Sequence, residues 1–297
     1  MKTALIDIGS NSLRLMLSEY KDGRWIHSAK QLWTTRLGKR TAEGLLSEES
    51  MHSTLEALKE AKAEGEKFGA TAFCAVATSA MRDSSNGVSF AEKLTAVTGI
   101  PVHIISGKEE ASIGFRGAMS DVLSDNTMGA IIDLGGASTE VAIGSLDRIE
   151  WSHSYPIGAV RLREISDEGV QRIWEETHAL WRPMPLMQDP RFGGIVGIGG
   201  TITTLAAIDQ RLSPYDPSKV HGYTLHREAV EGIAMFLRYQ TVEERMTVPG
   251  LMPGRADIIV AGAEILASFM DTYDIGSILV SEKDGLEGWH AVWSQNL

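Results

Sequence analysis

The chain has 297 residues, with 28 Lys plus Arg against 39 Asp plus Glu and a formal net charge of −11. Hydrophobic residues make up 43% and charged residues 23%, which are globular proportions and exclude a disordered chain. A single cysteine, Cys74, excludes a disulfide framework or a cysteine-cluster metal site, and the acidic balance argues against nucleic acid or anionic lipid as a partner.

In chain order, Thr3–Ile8 is a short apolar strand, and Leu13–Ser18 follows it after a Gly-Ser-Asn-Ser turn. Trp25–Leu32 reads as a weaker third strand. A helix starts at Leu46-Ser47, with Met51, Leu55, Leu58 and Ala61 on one face, and Gly69 stops it. Thr71–Val76 is a buried strand, Val88–Val97 a helix and Val102–Ile105 another strand. Ser106-Gly-Lys-Glu109 has capping-box spacing and opens a helix to about Asp121.

The second half repeats this order. Met128–Leu134, Thr139–Ile143 and Ile149–Tyr155 are strands, Gly158–Trp181 is helical, and Gly194–Ile198 is a strand before a helix at Thr201. Ala256–Thr272 is a helix, Ser277–Val280 the last strand, and Gly285–Trp293 an amphipathic helix with Leu286, Trp289 and Trp293 on one side. Residues 1–122 carry 15 basic and 15 acidic side chains, and residues 123–297 carry 13 and 24. The step predicts two domains, 1–122 and 123–297, divided in the polar stretch Ser120–Asn126. Each half begins strand–Asp–x–Gly–turn–strand, at Asp7-Ile-Gly9 and at Asp133-Leu-Gly135, which suggests two facing lobes with a ligand in the cleft between them.

Four segments carry candidate chemistry. Asp7-Ile-Gly-Ser-Asn-Ser-Leu-Arg14 is a tight turn whose glycine and small hydroxyl residues let backbone amides approach an anion, with Arg14 adding a permanent positive charge. Asp133-Leu-Gly-Gly-Ala-Ser-Thr-Glu140 repeats the pattern, and its two carboxylates are hard oxygen donors of the kind Mg²⁺ prefers. Either turn alone is consistent with an ordinary hairpin; the occurrence of both favours phosphate. Gly197-Ile-Gly-Gly-Thr201 runs from a strand into a helix N-terminus, where Gly199, Gly200 and Thr201 are placed to hold phosphate. In Ser106-Gly-Lys-Glu-Glu-Ala111, Glu109 is explained as the capping-box residue, which leaves Glu110 as a general-base candidate. Arg82 in Thr78-Ser-Ala-Met-Arg82 is suited to clamp phosphate oxygens. No His spacing fits zinc and no nucleophile elbow is present.

With these residues in hand, the chain resembles the exopolyphosphatase/guanosine pentaphosphate phosphohydrolase (Ppx/GppA) family of the actin–Hsp70–sugar kinase superfamily. The resemblance rests on Asp7–Leu15, Ala77-Thr-Ser-Ala-Met-Arg82, Ile105–Ala111, Ile132–Glu140, Pro156–Leu162, Gly197–Thr201 and Val280–Gly288, in the family's order and across nearly the whole chain. It implies an α/β fold of two ribonuclease-H-like (actin-like ATPase) domains around a central cleft, and Mg²⁺-dependent hydrolysis of a terminal phosphoanhydride. By the same resemblance, the general base falls on Glu110 and the metal carboxylates on Asp133 and Glu140, with Asp7 as the corresponding carboxylate of the first hairpin. Phosphate contacts fall on Ser10, Asn11, Ser12, Arg14 and Arg82, and on Gly135, Gly136, Ser138 and Thr139.

Two departures stand out. The family's Gly-Gly-Gly-Ser loop has Ala137 at its third position here, and these residues contain no His-Asp dipeptide of the kind found in the C-terminal region of longer members. The expected activity is exopolyphosphatase. The alternatives are pppGpp 5′-phosphohydrolase, a phosphate-ligand sensor, or a kinase of the same superfamily. Inorganic polyphosphate or pppGpp is the expected partner, with neither nucleic acid nor membrane. No apolar run reaches the ~18 residues of a membrane span, and MKTALIDIGSNS has no signal-peptide pattern, so the cytoplasm is the expected compartment. The closing helix has two expected partners, the first domain or a second subunit in a homodimer.

Overall fold

The structure, a computed structural model, describes all residues except 28, 29, 42, 123–126, 164–169, 186 and 297. The chain forms two compact units, Met1–Glu109 and Glu110–Leu297.

The first unit contains β1 (Lys2–Ile8), β2 (Ser12–Lys21), β3 (Arg24–His27), β4 (Gln31–Thr34), α1 (Glu48–Phe68), β5 (Ala72–Ala77), α2 (Ser79–Arg82), α3 (Gly87–Thr98) and β6 (Val102–Ile104). Its sheet runs β3-β2-β1-β5-β6, with β4 also on β2. β1 is antiparallel to β2 and parallel to β5, so the chain must cross over after the opening hairpin, and α1 makes that crossover. Ser47 caps α1 by accepting from the Ser50 amide, and Gly69 closes it in the left-handed region at φ 85°. The segment expected as one strand, Trp25–Leu32, is two strands. β3 pairs with the far end of β2 through the Asp22-Gly23 turn, and β4 pairs with its near end. β2 has ten residues and is long enough to carry both.

The helix after Ser106 is α4 (Gly107–Met119), which spans the division between the units. Then follow β7 (Met128–Leu134), β8 (Thr139–Gly144), β9 (Ile149–Tyr155), α5 (Ala159–Arg163), α6 (Val170–Leu180), β10 (Phe192–Ile198), α7 (Gly200–Asp209) and α8 (Pro217–Val220). The chain ends with β11 (Thr224–His226), α9 (Arg227–Arg238), α10 (Val242–Arg245), α11 (Ile259–Thr272), β12 (Ser277–Val280) and α12 (Gly285–Trp293). The sheet order is β11-β12-β10-β7-β8-β9. Apart from β11, this is the arrangement of the first sheet: a three-stranded antiparallel meander with two parallel strands beside its first strand. Both units therefore have the actin-like, ribonuclease-H-like topology expected. Within the expected helical stretch Gly158–Trp181, α5 and α6 are described and residues 164–169 lie outside the described residues.

The two compact units meet in sequence at Glu109/Glu110, and the charge step lies near residue 122. Ala111, Phe115, Ala118 and Met119 of α4 are buried with Ile131, Ala142, Val196 and Ile198 of the second sheet. Burying that apolar face outweighs the charge step used to place the boundary. Residues 123–126 of the expected linker lie outside the described residues. α12 packs on α4 through two glycines. A Cβ on Gly288 would strike the Ile113 carbonyl, and one on Gly117 the Asp284 carbonyl. Among the described residues, no helix is long and apolar enough to cross a membrane.

Candidate active site

Each unit opens with a hairpin of the same design. In the first, Asp7 and Arg14 are cross-strand partners, and the Gly9 amide donates to the Ser12 carbonyl at 3.0 Å. In the second, Asp133 and Glu140 are cross-strand partners, and the Gly135 amide donates to the Ser138 carbonyl at 3.0 Å. Directly opposed residues present their side chains on one face of the sheet, so each pair must interact. The hairpins differ in sign. Arg14 Nε donates to Asp7 Oδ2 at 2.9 Å and the other guanidinium nitrogen binds the same oxygen, which balances both charges. Asp133 faces a second carboxylate.

That carboxylate is buried. Glu140 is 1% exposed, and burial first, then the charges of Glu110 and Asp133, push its pKa well above the usual carboxylate range. The hydroxyls of Ser154 and Ser138 bind it and oppose the shift, with Ser154 Oγ donating to Oε1 at 2.6 Å. Glu110 arrives from α4. Its neighbour Glu109 is exposed and accepts from the Ser106 amide and hydroxyl, both at 2.8 Å, which holds Glu109 below its ordinary pKa. Glu110 is half-buried on the other side of the turn. One turn further on, Gly114 lets α4 lie close to β7: a Cβ there would sit 3.5 Å from Asp133 Oδ2. From the β10–α7 turn, Gly199 approaches at φ 92°, where a Cβ would meet Asp133 Oδ1 at 2.9 Å and the Leu134 carbonyl at 2.7 Å. Thus β7, β8 and the β10–α7 turn bring Asp133, Glu140 and Gly199 together, and α4 carries Glu110, whose charge acts on Glu140.

The other expected residues fall into two groups. Ser10, Asn11 and Ser12 form a buried loop. It is pinned by the Gly38 amide on the Ser10 carbonyl at 2.7 Å and by the Thr35 and Arg36 amides on the Asn11 carbonyl. Ser10 Oγ lies 3.2 Å from Ser79 Oγ. Arg82 donates to the Ile105 carbonyl at 3.1 Å and lies beside Asp83. In the second loop, the Gly135 and Gly136 carbonyls accept from the amides that open α5, and Gly158 packs against Gly136 where no Cβ would fit. Ala137 is buried without left-handed backbone, so this turn does not require the family's third glycine.

Three of these expectations fall on residues that lie against other parts of the protein. Thr139 directs its hydroxyl to the Ile157 carbonyl at 2.8 Å. Thr201 packs its side chain against Gly262 of α11. Asp7 and Arg14, assigned separately to metal and to phosphate, bind each other. The Thr139 hydroxyl, Asp7 and Arg14 thus each have a polar partner within the protein.

Two residues went unnoticed in the sequence. Ser154 on β9 is the cross-strand partner of Glu140, so Asp133, Glu140 and Ser154 form one row across three strands. Correct pairing of Ile149–Tyr155 with Thr139–Ile143 would have found it. Arg255 places its guanidinium over Gly200, in the space a Cβ would fill. No spacing in the sequence signals that contact.

Among the described residues, no group of three or more His, Cys, Asp or Glu side chains is arranged to hold a metal ion. The Asp133–Glu140 pair nevertheless fits Mg²⁺, which takes one or two carboxylates and fills its remaining positions with water and phosphate oxygens. A fully buried glutamate among like charges is an environment that a cation relieves.

Comparison with known proteins gives the class. Residues 6–290 match the Ppx/GppA phosphatase family, and the chain belongs to that family. It is 30% identical to exopolyphosphatase 2 of Mycobacterium tuberculosis, over 97% of each chain. It is 32% identical to a bifunctional 3-dehydroquinate synthase/phosphatase of Fusobacterium nucleatum over 96% of this chain, and spans 45% of that longer protein. The crystal structure of the Aquifex aeolicus Ppx/GppA family member superposes with a TM-score of 0.79 at 30% identity, covering 100% of this chain and 99% of that one.

Proposed function

We propose that the protein is an exopolyphosphatase, which removes the terminal phosphate of inorganic polyphosphate by attack of water. The observation that carries this reading is the position of Glu110. It is half-buried and its charge raises the pKa of Glu140, while Glu109 beside it is consumed by the helix cap. A base at that position takes a proton from water as its oxygen bonds to the terminal phosphorus. The bridging P–O bond breaks, and the shortened chain leaves as orthophosphate is released.

Asp133 and Glu140 are the residues that would hold Mg²⁺, which when bound supplies positive charge against the phosphate oxygens. The Gly135–Ser138 turn is the proposed contact to phosphate oxygens. Positioning and charge provide nearly all of the catalysis in such a transfer. The same groups suit the γ-phosphate of pppGpp.

A panel of short and long polyphosphate, pppGpp and ATP, with and without Mg²⁺, tests the reading. Fastest orthophosphate release from polyphosphate with Mg²⁺ is expected. Faster release from pppGpp makes the protein a guanosine pentaphosphatase, and ligand-induced stabilisation without release makes it a sensor.

A further inference from the structure

We propose that Ser154 is a positioning residue for the metal-binding carboxylate Glu140, an inference that rests on the reading of Asp133 and Glu140 as the Mg²⁺ pair. Glu140 pairs with Asp133 on one side and with Ser154 on the other, so the three side chains share one face of adjacent strands β7, β8 and β9. Ser154 Oγ donates to Glu140 Oε1 at 2.6 Å, the short distance of a hydroxyl on a carboxylate. Ser138, in the turn, binds the same side chain.

A carboxylate with two rotatable bonds beyond Cβ is thereby restrained before any cation arrives. Fixing Oε1 from the β9 side orients the group toward Asp133 on the other. Outer partners of this kind set ligand orientation in metal sites, and their loss typically weakens metal binding about 10–100-fold. Ser154 does not touch substrate or metal in this account and acts only through Glu140. Its own strand is held independently by pairing with β8 from Thr139 to Gly144.

The test measures Mn²⁺ binding by electron paramagnetic resonance, without substrate, for wild type, Ser154→Ala, Ser154→Thr, Ser154→Val and Glu140→Gln. Thr and Val have nearly the same shape, so their comparison isolates the hydroxyl even if Ala fails to fold. Wild type and Ser154→Thr are expected to bind alike. Ser154→Val and Ser154→Ala are expected to bind about 10–100-fold more weakly, with activity largely restored at high metal concentration. Equal affinity of Ser154→Val and Ser154→Thr, with Glu140→Gln still impaired, overturns the role of Ser154 and leaves the metal assignment intact. Binding by Glu140→Gln equal to wild type, or no binding by wild type, overturns the metal assignment and the inference with it.

Discussion

Asp133 and Glu140 face each other across the β7–β8 ladder at the register position that Asp7 and Arg14 occupy in the first unit. The hairpin design is shared, and one residue of each pair decides its chemistry. Arginine closes the first pair into a salt bridge, whereas glutamate leaves the second with two like charges.

That charge makes the stability of the metal-free protein depend on pH. The folded-state pKa of Glu140 lies above its ordinary 4.5, so the fold holds a proton that the unfolded chain releases. The associated stability is complete below the unfolded value and is lost as pH rises through the raised folded value. Without metal, Glu140→Gln is therefore expected to melt higher than wild type at pH 8, by about 2–4 °C for each kcal/mol relieved. Near pH 4 the two should melt alike. Adding Mg²⁺ should stabilise wild type more than the variant, and thermal melts across pH with and without metal check all three.

Gly199 combines left-handed backbone with contact to Asp133 and the Leu134 carbonyl. Gly199→Ala meets both obstacles, so a loss of roughly 1–3 kcal/mol in denaturant unfolding is expected, with a larger fall in kcat/KM than in stability. Wild-type kinetics in this variant would show that the β10–α7 turn does not set the position of Asp133.

The α4–α12 contact should be as sensitive. Gly288→Ala places a methyl against the Ile113 carbonyl and Gly117→Ala places one against the Asp284 carbonyl. Each is expected to destabilise by about 1–3 kcal/mol. Because α4 carries Glu110, each should also lower kcat. Chemical denaturation paired with steady-state kinetics measures the two effects separately.

The Asp7–Arg14 pair is largely shielded, with side chains 17% and 25% exposed. Asp7→Asn is expected to cost roughly 1.5–3 kcal/mol, the range for hydrogen bonds to charged groups. Combined with Arg14→Leu, it should cost less than the sum of the single changes. Strict additivity in the double-mutant cycle would remove the coupling.

Much of this was legible in the sequence because it is governed locally. Ser47 and Gly69 mark the ends of α1, Ser106 and Glu109 form their box, and both Asp-x-Gly hairpins were visible from turn chemistry. The strands Ile149–Tyr155 and Ser277–Val280 and the helix Gly285–Trp293 keep the expected ends. What escaped depends on residues distant in sequence. The short strands β4 and β11 exist because β2 and β12 offer them an edge. A hydroxyl in a glycine-rich turn does not reveal that Thr139 donates to the Ile157 carbonyl or that Thr201 lies against Gly262. Ser154 and Arg255 lie outside every motif and reach the site by strand pairing and helix packing. Charge counts do not show which sheet covers the apolar face of α4.

The most direct measurement of the account is the initial rate of orthophosphate release from polyphosphate with Mg²⁺, for wild type and Glu110→Gln. Removing a general base typically costs about 10²–10⁴-fold in rate. The account predicts a loss of that size in kcat at saturating Mg²⁺. A Glu110→Gln enzyme that releases phosphate at the wild-type rate would contradict it.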